Sequence, residues 1–355
     1  MQGFTRREAI GLLASGFCAR AAAPQFGKGA VIRTVLKDIP PQELGGGATL
    51  FHEHMSLSPD FLPKFTKLLR AQNPQLPAPP AQPASPAGQT YFLEDLDLMV
   101  EEMRAASKEG VACLVDGGHP DMGRSLDFLK HLSMQSGMPI VASAGYYTQP
   151  FYPPEVATLS EDQIAQELTR QANTAPFGAF GEIGTWDEIT PDERKVFRAV
   201  GKAHLATNLP IYTHTNFGKA ALEQLDIFES VGVKPQRVCI GHVGGLIDPK
   251  VEVHKALCKR GAYVGFDRQG GPGDVRQVPM VMALIEAGYA DNLLFASDFS
   301  NAAQLKRNGG PGYAKTVTVF VPKLKEAGAK EETLHGILVD NPRRFLAFAP
   351  KKAAR

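Results

Sequence analysis

His52 and His54 stand two residues apart in ATLFHEH (48–54), a spacing that puts both imidazoles on one face of a strand. Further along, Glu182 ends the apolar run PFGAFGE (176–182) and His214 ends PIYTH (210–214). His242 ends RVCIGH (237–242), and Asp298 ends NLLFASD (292–298). An HxH pair alone arises by chance. Six ligand-type residues that each close an apolar run are a far more specific pattern. Four histidines and two carboxylates gathered at one place can hold two divalent cations, and a carboxylate between the cations damps their repulsion. The chemistry of such a pair is hydrolysis: a shared water is acidified and the bond it attacks is polarised. Asp298 is the candidate to take the proton of that water. No G-x-S-x-G elbow is present to supply a serine nucleophile.

Positioning these residues needs a scaffold whose strand ends converge. Apolar runs also occur at VACLVD (111–116), MPIVASAG (138–145) and AYVGFD (262–267), which makes eight in all. Helix-like stretches follow them, among them 92–107, 161–172, 191–206 and 251–261. The stretch at 191 opens on Thr190, with Pro191 at the first turn and Glu193 three residues after the cap, the pattern of a capping box. Eight strand–helix units in series predict a (β/α)8 TIM barrel over 48–348, with a short β extension at 24–47 and a basic tail at 349–355. In such a barrel the C-terminal strand ends form one mouth, where active sites lie. Residues 73–89 carry six prolines and read as a solvated excursion between the first strand and its helix.

The first 23 residues read as an export segment. Arg6-Arg7 precede a short apolar run and then Ala21-Ala22-Ala23, the layout of a twin-arginine signal, so the expectation is a periplasmic protein. The apolar run is too short to span a bilayer, and no longer one follows, so no membrane anchor is expected. The chain has 38 basic and 37 acidic residues, a balance that offers no basic face for nucleic acid. Cys113 and Cys239 lie in apolar runs and read as small buried hydrophobes. His119, in VDGGHPD after the second strand, is a candidate to support the site from behind.

TLFHEH (49–54), VDGGHPDMGR (115–124), GEIG (181–184), PIYTHT (210–215), IGHVGG (240–245), FDRQGG (266–271), ASDFS (296–300) and ILVDNPRRFLAF (337–348) together resemble the phosphotriesterase family of the amidohydrolase superfamily, over roughly residues 30–348. The resemblance implies that His52 and His54 bind the more buried of two metals, with Asp298 completing its shell, while His214 and His242 hold the more exposed one. The bridging position, a carboxylated lysine in many members, carries Glu182, as in the phosphotriesterase homology branch. Zinc is the first expectation, with manganese, cobalt or iron accepted by the same ligand types. Asp267-Arg268 resembles the Asp-Arg pair of phosphotriesterase-like lactonases, and Tyr147 falls where their pockets place a tyrosine. Arg268 and Tyr147 are therefore candidate substrate contacts, against the plainer readings of a salt bridge and a packing residue. The implied substrate is a small ester: a lactone or carboxylic ester ahead of a phosphotriester. A TatD-like nuclease and an exported metal-binding barrel without turnover remain alternatives, and a homodimer is left open.

Overall fold

The computed structural model describes residues 24–75 and 90–351. The Arg6-Arg7 segment, residues 76–89 of the proline-rich stretch, and the tail beyond 351 lie outside them. The expected extension is a small hairpin, β1 (Ile32–Arg33) against β2 (Asp38–Ile39). Arg33 Nε donates to Asp38 Oδ1 at 2.7 Å across it.

All eight expected strands form: β3 (Ala48–Glu53), β4 (Val111–Asp116), β5 (Ile140–Ala144), β6 (Phe177–Gly184), β7 (Ile211–His214), β8 (Val238–Ile240), β9 (Tyr263–Phe266) and β10 (Leu293–Phe295). They are parallel and neighbour one another in chain order. Backbone bonds just beyond β10 close the ring: Asp298 N–H donates to His52 O, and His54 N–H to Phe299 O, both at 3.1 Å. The architecture is a (β/α)8 barrel.

Alternation along the strands divides the core in two. Phe51, Cys113, Val115, Tyr212 and Cys239 pack inside the barrel, where Ile32, Ile39 and Phe345 join them. Leu50, Leu114, Ile140 and Ile240 face outward against the helices. Both cysteines are thus buried packing residues, as read from their apolar runs.

Helices α2 (Leu96–Lys108), α3 (Leu126–Ser136), α4 (Glu161–Thr174), α5 (Pro191–Thr207), α6 (Ala221–Ser230), α7 (Glu252–Arg260) and α8 (Asp274–Glu286) connect the strands. The expected capping box at Thr190 and Glu193 is present. The helix expected from residue 92 starts at Leu96, because the Asp95 carboxylate accepts the Leu98 N–H and fixes the cap there. One helix was not expected. Helix α1 (Phe61–Gln72) lies between β3 and the proline-rich stretch, with Pro63 in its first turn, where a missing N–H removes no helical bond. A final helical segment (331–346) packs against β3 and β10.

Candidate metal centre

The HxH pair begins the site. His52 lies in β3 and His54 one residue past it, both pointing into the mouth. Glu53 between them points the other way, and its carboxylate accepts the Ser297 N–H at 2.6 Å and the Phe299 N–H at 2.9 Å. Those two amides flank Asp298, so Glu53 pins the turn that presents it. Burial pushes the Glu53 carboxyl up to about 7. His242, Arg268 and Asp298 stand just beyond β8, β9 and β10 in left-handed backbone, with φ of 57°, 60° and 50°. That region disfavours side chains other than glycine, and such strain clusters at functional sites.

Glu182 is the hub. Its Oε1 lies 3.2 Å from His54 Nε2, and its Oε2 lies 3.3 Å from His52 Nε2, 3.0 Å from His214 Nδ1 and 3.3 Å from His242 Nε2. Asp298 Oδ1 faces His54 Nε2 at 3.3 Å and His52 Nε2 at 4.0 Å. The structure therefore gathers all six predicted ligand residues, contributed by five strand ends, into one buried cluster. Burial alone would raise the Glu182 carboxyl, but the charge of His52 and hydrogen bonds from His214 and His242 hold it well below the usual carboxylate range. Burial works against charging His54, yet hydrogen bonds to Asp298 and Glu182 raise it to about 9. Without a cation, protons on imidazole offset the carboxylates. A divalent ion would displace them.

The donor set fits such an ion. His52, Glu182 and His242 form one group of mutually close ligand atoms, and His52, His54 and Asp298 form another. His52 Nε2 is buried and makes no hydrogen bond despite its approach to Glu182. A buried ring nitrogen that faces a carboxylate without bonding to it is what a cation would satisfy.

Tyr147 and Arg268 both reach the cluster. The Tyr147 hydroxyl lies 3.2 Å from His214 Nδ1, and its ring packs against Phe61, so it is buried within the site. Arg268 Nε donates to Asp298 Oδ2 at 2.8 Å, and its Nη2 lies 3.3 Å from His242 Nε2. It is thus a salt-bridge partner and a cavity wall at once. His119 is no ligand: its Nε2 meets the Gly181 carbonyl at 2.7 Å, next to Glu182, so it supports the hub's backbone.

Sequence reasoning missed Glu53 and the roof. A small cavity of about 30 Å³ lies over the cluster, roofed by Phe61, Leu62 and Phe65 of α1. Phe65 stacks on Trp186 at 5.7 Å and meets His214 edge-on at 6.2 Å. The local signal was the apolar spacing of Phe61, Leu62, Phe65 and Leu68. The proline-rich stretch that follows obscured it.

A profile of the phosphotriesterase family matches residues 30–346. The chain belongs to the phosphotriesterase family. The phosphotriesterase homology protein of Escherichia coli K12 is 34% identical over 263 residues, covering 71% of this chain and 89% of that protein. An N-acetyltaurine hydrolase of Danio rerio is 26% identical over 347 residues, covering 89% of this chain and 98% of its own. Among solved structures, the Escherichia coli homology protein complexed with phosphate in its active site superposes with a TM-score of 0.74 at 29% identity, over 87% of this chain and all of that one. A lactonase from Listeria monocytogenes superposes with a TM-score of 0.75 at 25% identity, over 89% of this chain and 98% of its own.

Proposed function

We propose that this phosphotriesterase-family hydrolase opens lactones or cleaves small carboxylic esters with the help of two divalent cations. The observation that carries the reading is the convergence of His52, His54, His214, His242 and Asp298 on Glu182 at one barrel mouth. By the motif assignment, His52, His54 and Asp298 would hold one cation, His214 and His242 the other, with Glu182 between them. When bound, the two ions would supply an acidified water and a Lewis acid for the substrate's carbonyl oxygen.

The protein's own groups do the rest. Arg268 engages Asp298 Oδ2 and holds Oδ1 toward the histidines, and this oriented carboxylate is the group placed to receive a proton. The Tyr147 hydroxyl borders the cavity beside His214, where it can orient a carbonyl. The apolar roof of α1 excludes bulk water and strengthens every electrostatic contact beneath it.

The lactonase likeness and the Asp267-Arg268 pair favour a ring ester. The N-acetyltaurine hydrolases among the relatives favour a second reading, cleavage of a small N-acyl amide, which passes through the same tetrahedral oxyanion. A panel of lactones, aryl esters, phosphotriesters and N-acetyl amino compounds, run on metal-replete protein and ranked by kcat/KM, tests both. Lactones that stay inert while phosphotriesters turn over fastest would defeat the first reading. We further propose export by the twin-arginine route. Changing Arg6 and Arg7 to Lys should retain the precursor inside the cell, and normal export of that double variant would refute it. No helix among the described residues is long and apolar enough to cross a membrane.

A further inference from the structure

The sequence groups Asp267 with Arg268, but the fold sends the two side chains to different tasks. Arg268 turns outward to Asp298. Asp267, at the end of β9, points inward and is fully buried. Its Oδ1 lies 2.7 Å from His242 Nδ1 and its Oδ2 lies 3.3 Å from His52 Nδ1. Oδ2 also accepts the His242 backbone N–H at 3.1 Å. Gln277 Nε2 donates to the Asp267 carbonyl at 3.1 Å and fixes the backbone from α8.

The opposite edges of the same two rings both face Glu182. His52 Nε2 and His242 Nε2 each lie 3.3 Å from Glu182 Oε2, and the ring centroids are 4.9 Å apart. Glu182, His52, Asp267 and His242 thus form a closed cycle of carboxylate, imidazole, carboxylate and imidazole. An imidazole that donates from Nδ1 must present its Nε2 lone pair on the other side. One carboxylate behind both rings therefore sets both tautomers and both ring planes. The other two histidines do not use it: His54 Nδ1 has no hydrogen-bond partner, and His214 turns its Nδ1 toward Glu182.

We propose that Asp267 is a positioning residue that orients His52 and His242 together and so couples the two metal subsites. The inference rests on the binuclear reading, in which these histidines serve different ions. Their shared support makes one substitution loosen both.

The test uses cobalt(II) as the probe. Protein freed of metal by chelation is titrated with cobalt, followed by calorimetry and by the visible absorption bands, which report ligand geometry independently of turnover. Wild type is expected to take two equivalents. Asp267→Asn keeps the size of the side chain but leaves one oxygen to accept from two rings, so one ring must rotate or change tautomer. Affinity for both equivalents should fall about 10–100-fold, the usual effect of removing an outer-shell partner, and the bands should shift. Asp267→Glu should recover part of the affinity. Wild-type affinity in Asp267→Asn, or a loss confined to one equivalent, would overturn the coupling. A wild-type protein that takes up no cobalt would sink the metal centre itself, and the role of Asp267 with it. If Asp267→Asn does not fold, imidazole nitrogen NMR of the wild type decides. Both His52 and His242 must carry their proton on Nδ1, and an Nε2–H form of either ring refutes the proposal.

Discussion

Replacing Asp298 by Asn tests the proton-handling role proposed for this carboxylate apart from its role in packing. Asn keeps the shape of the side chain. It removes the charge that faces His54 at 3.3 Å and accepts from Arg268 at 2.8 Å. The lost charge-assisted bond to Arg268 is worth about 1.5–3 kcal/mol of stability in a buried setting. Loss of a general acid–base group lowers kcat by about 10²–10⁴, which is about 2.7–5.4 kcal/mol of transition-state stabilisation at 1.36 kcal/mol per decade. The two losses are read separately, the first in unfolding and the second in kcat. The assay is kcat and KM on the best substrate of the panel, with metal content measured on the same samples. Arg268→Ala and the double variant complete a cycle. Arg268→Ala should reorder the substrates with a smaller fall in kcat. The double variant should resemble Asp298→Asn alone, because the Arg268 contact acts on a carboxylate already gone. A kcat within threefold of wild type in Asp298→Asn at unchanged metal content would refute the assigned role.

Glu182→Ala should lose at least one of two metal equivalents in elemental analysis, since the Glu182 carboxylate meets four imidazoles; two tightly held ions in that variant would remove it from the bridge. Glu53→Gln retains one acceptor for the Ser297 and Phe299 amides and confronts the other with an NH2, so it should cost about 1–3 kcal/mol in urea unfolding and lower kcat without changing the ranking of substrates. Phe65→Ala removes the roof ring that stacks on Trp186 and should move the preferred substrate to one with a longer chain, read as a shifted kcat/KM optimum across an acyl-length series. An unshifted optimum would mean that α1 does not bound the pocket.

The local part of this protein is written plainly in its sequence. Side chains alternate with period two along a strand, so His52 and His54 had to share a face, and Glu53 had to point away from them. Apolar runs bounded by glycine, proline or charge marked the eight strands. Once those closed into a barrel, geometry brought their ends to one mouth, which is why the six residues that gather there could be named in advance. The motifs that match the phosphotriesterase family added the expected pairing of those ligands.

The tertiary structure decided which second partner each side chain meets. Asp267 lies 215 residues from His52, and Glu53 lies 244 from Ser297. No periodicity carries a contact across such a distance. Adjacent residues in the FDRQGG motif went to opposite tasks because the backbone turns left-handed at Arg268. The local preference of arginine is for right-handed or extended backbone, so its own propensity does not specify that turn. Helix α1 had a legible apolar pattern, but whether it faced solvent or roofed the metal centre depended on a ring stacked on Trp186 from a different loop. The sequence by itself determined the candidate ligand types and the faces they occupy. Chain closure alone determined the carboxylates behind them and the roof above them, because those contacts exist only once strands distant in sequence stand side by side.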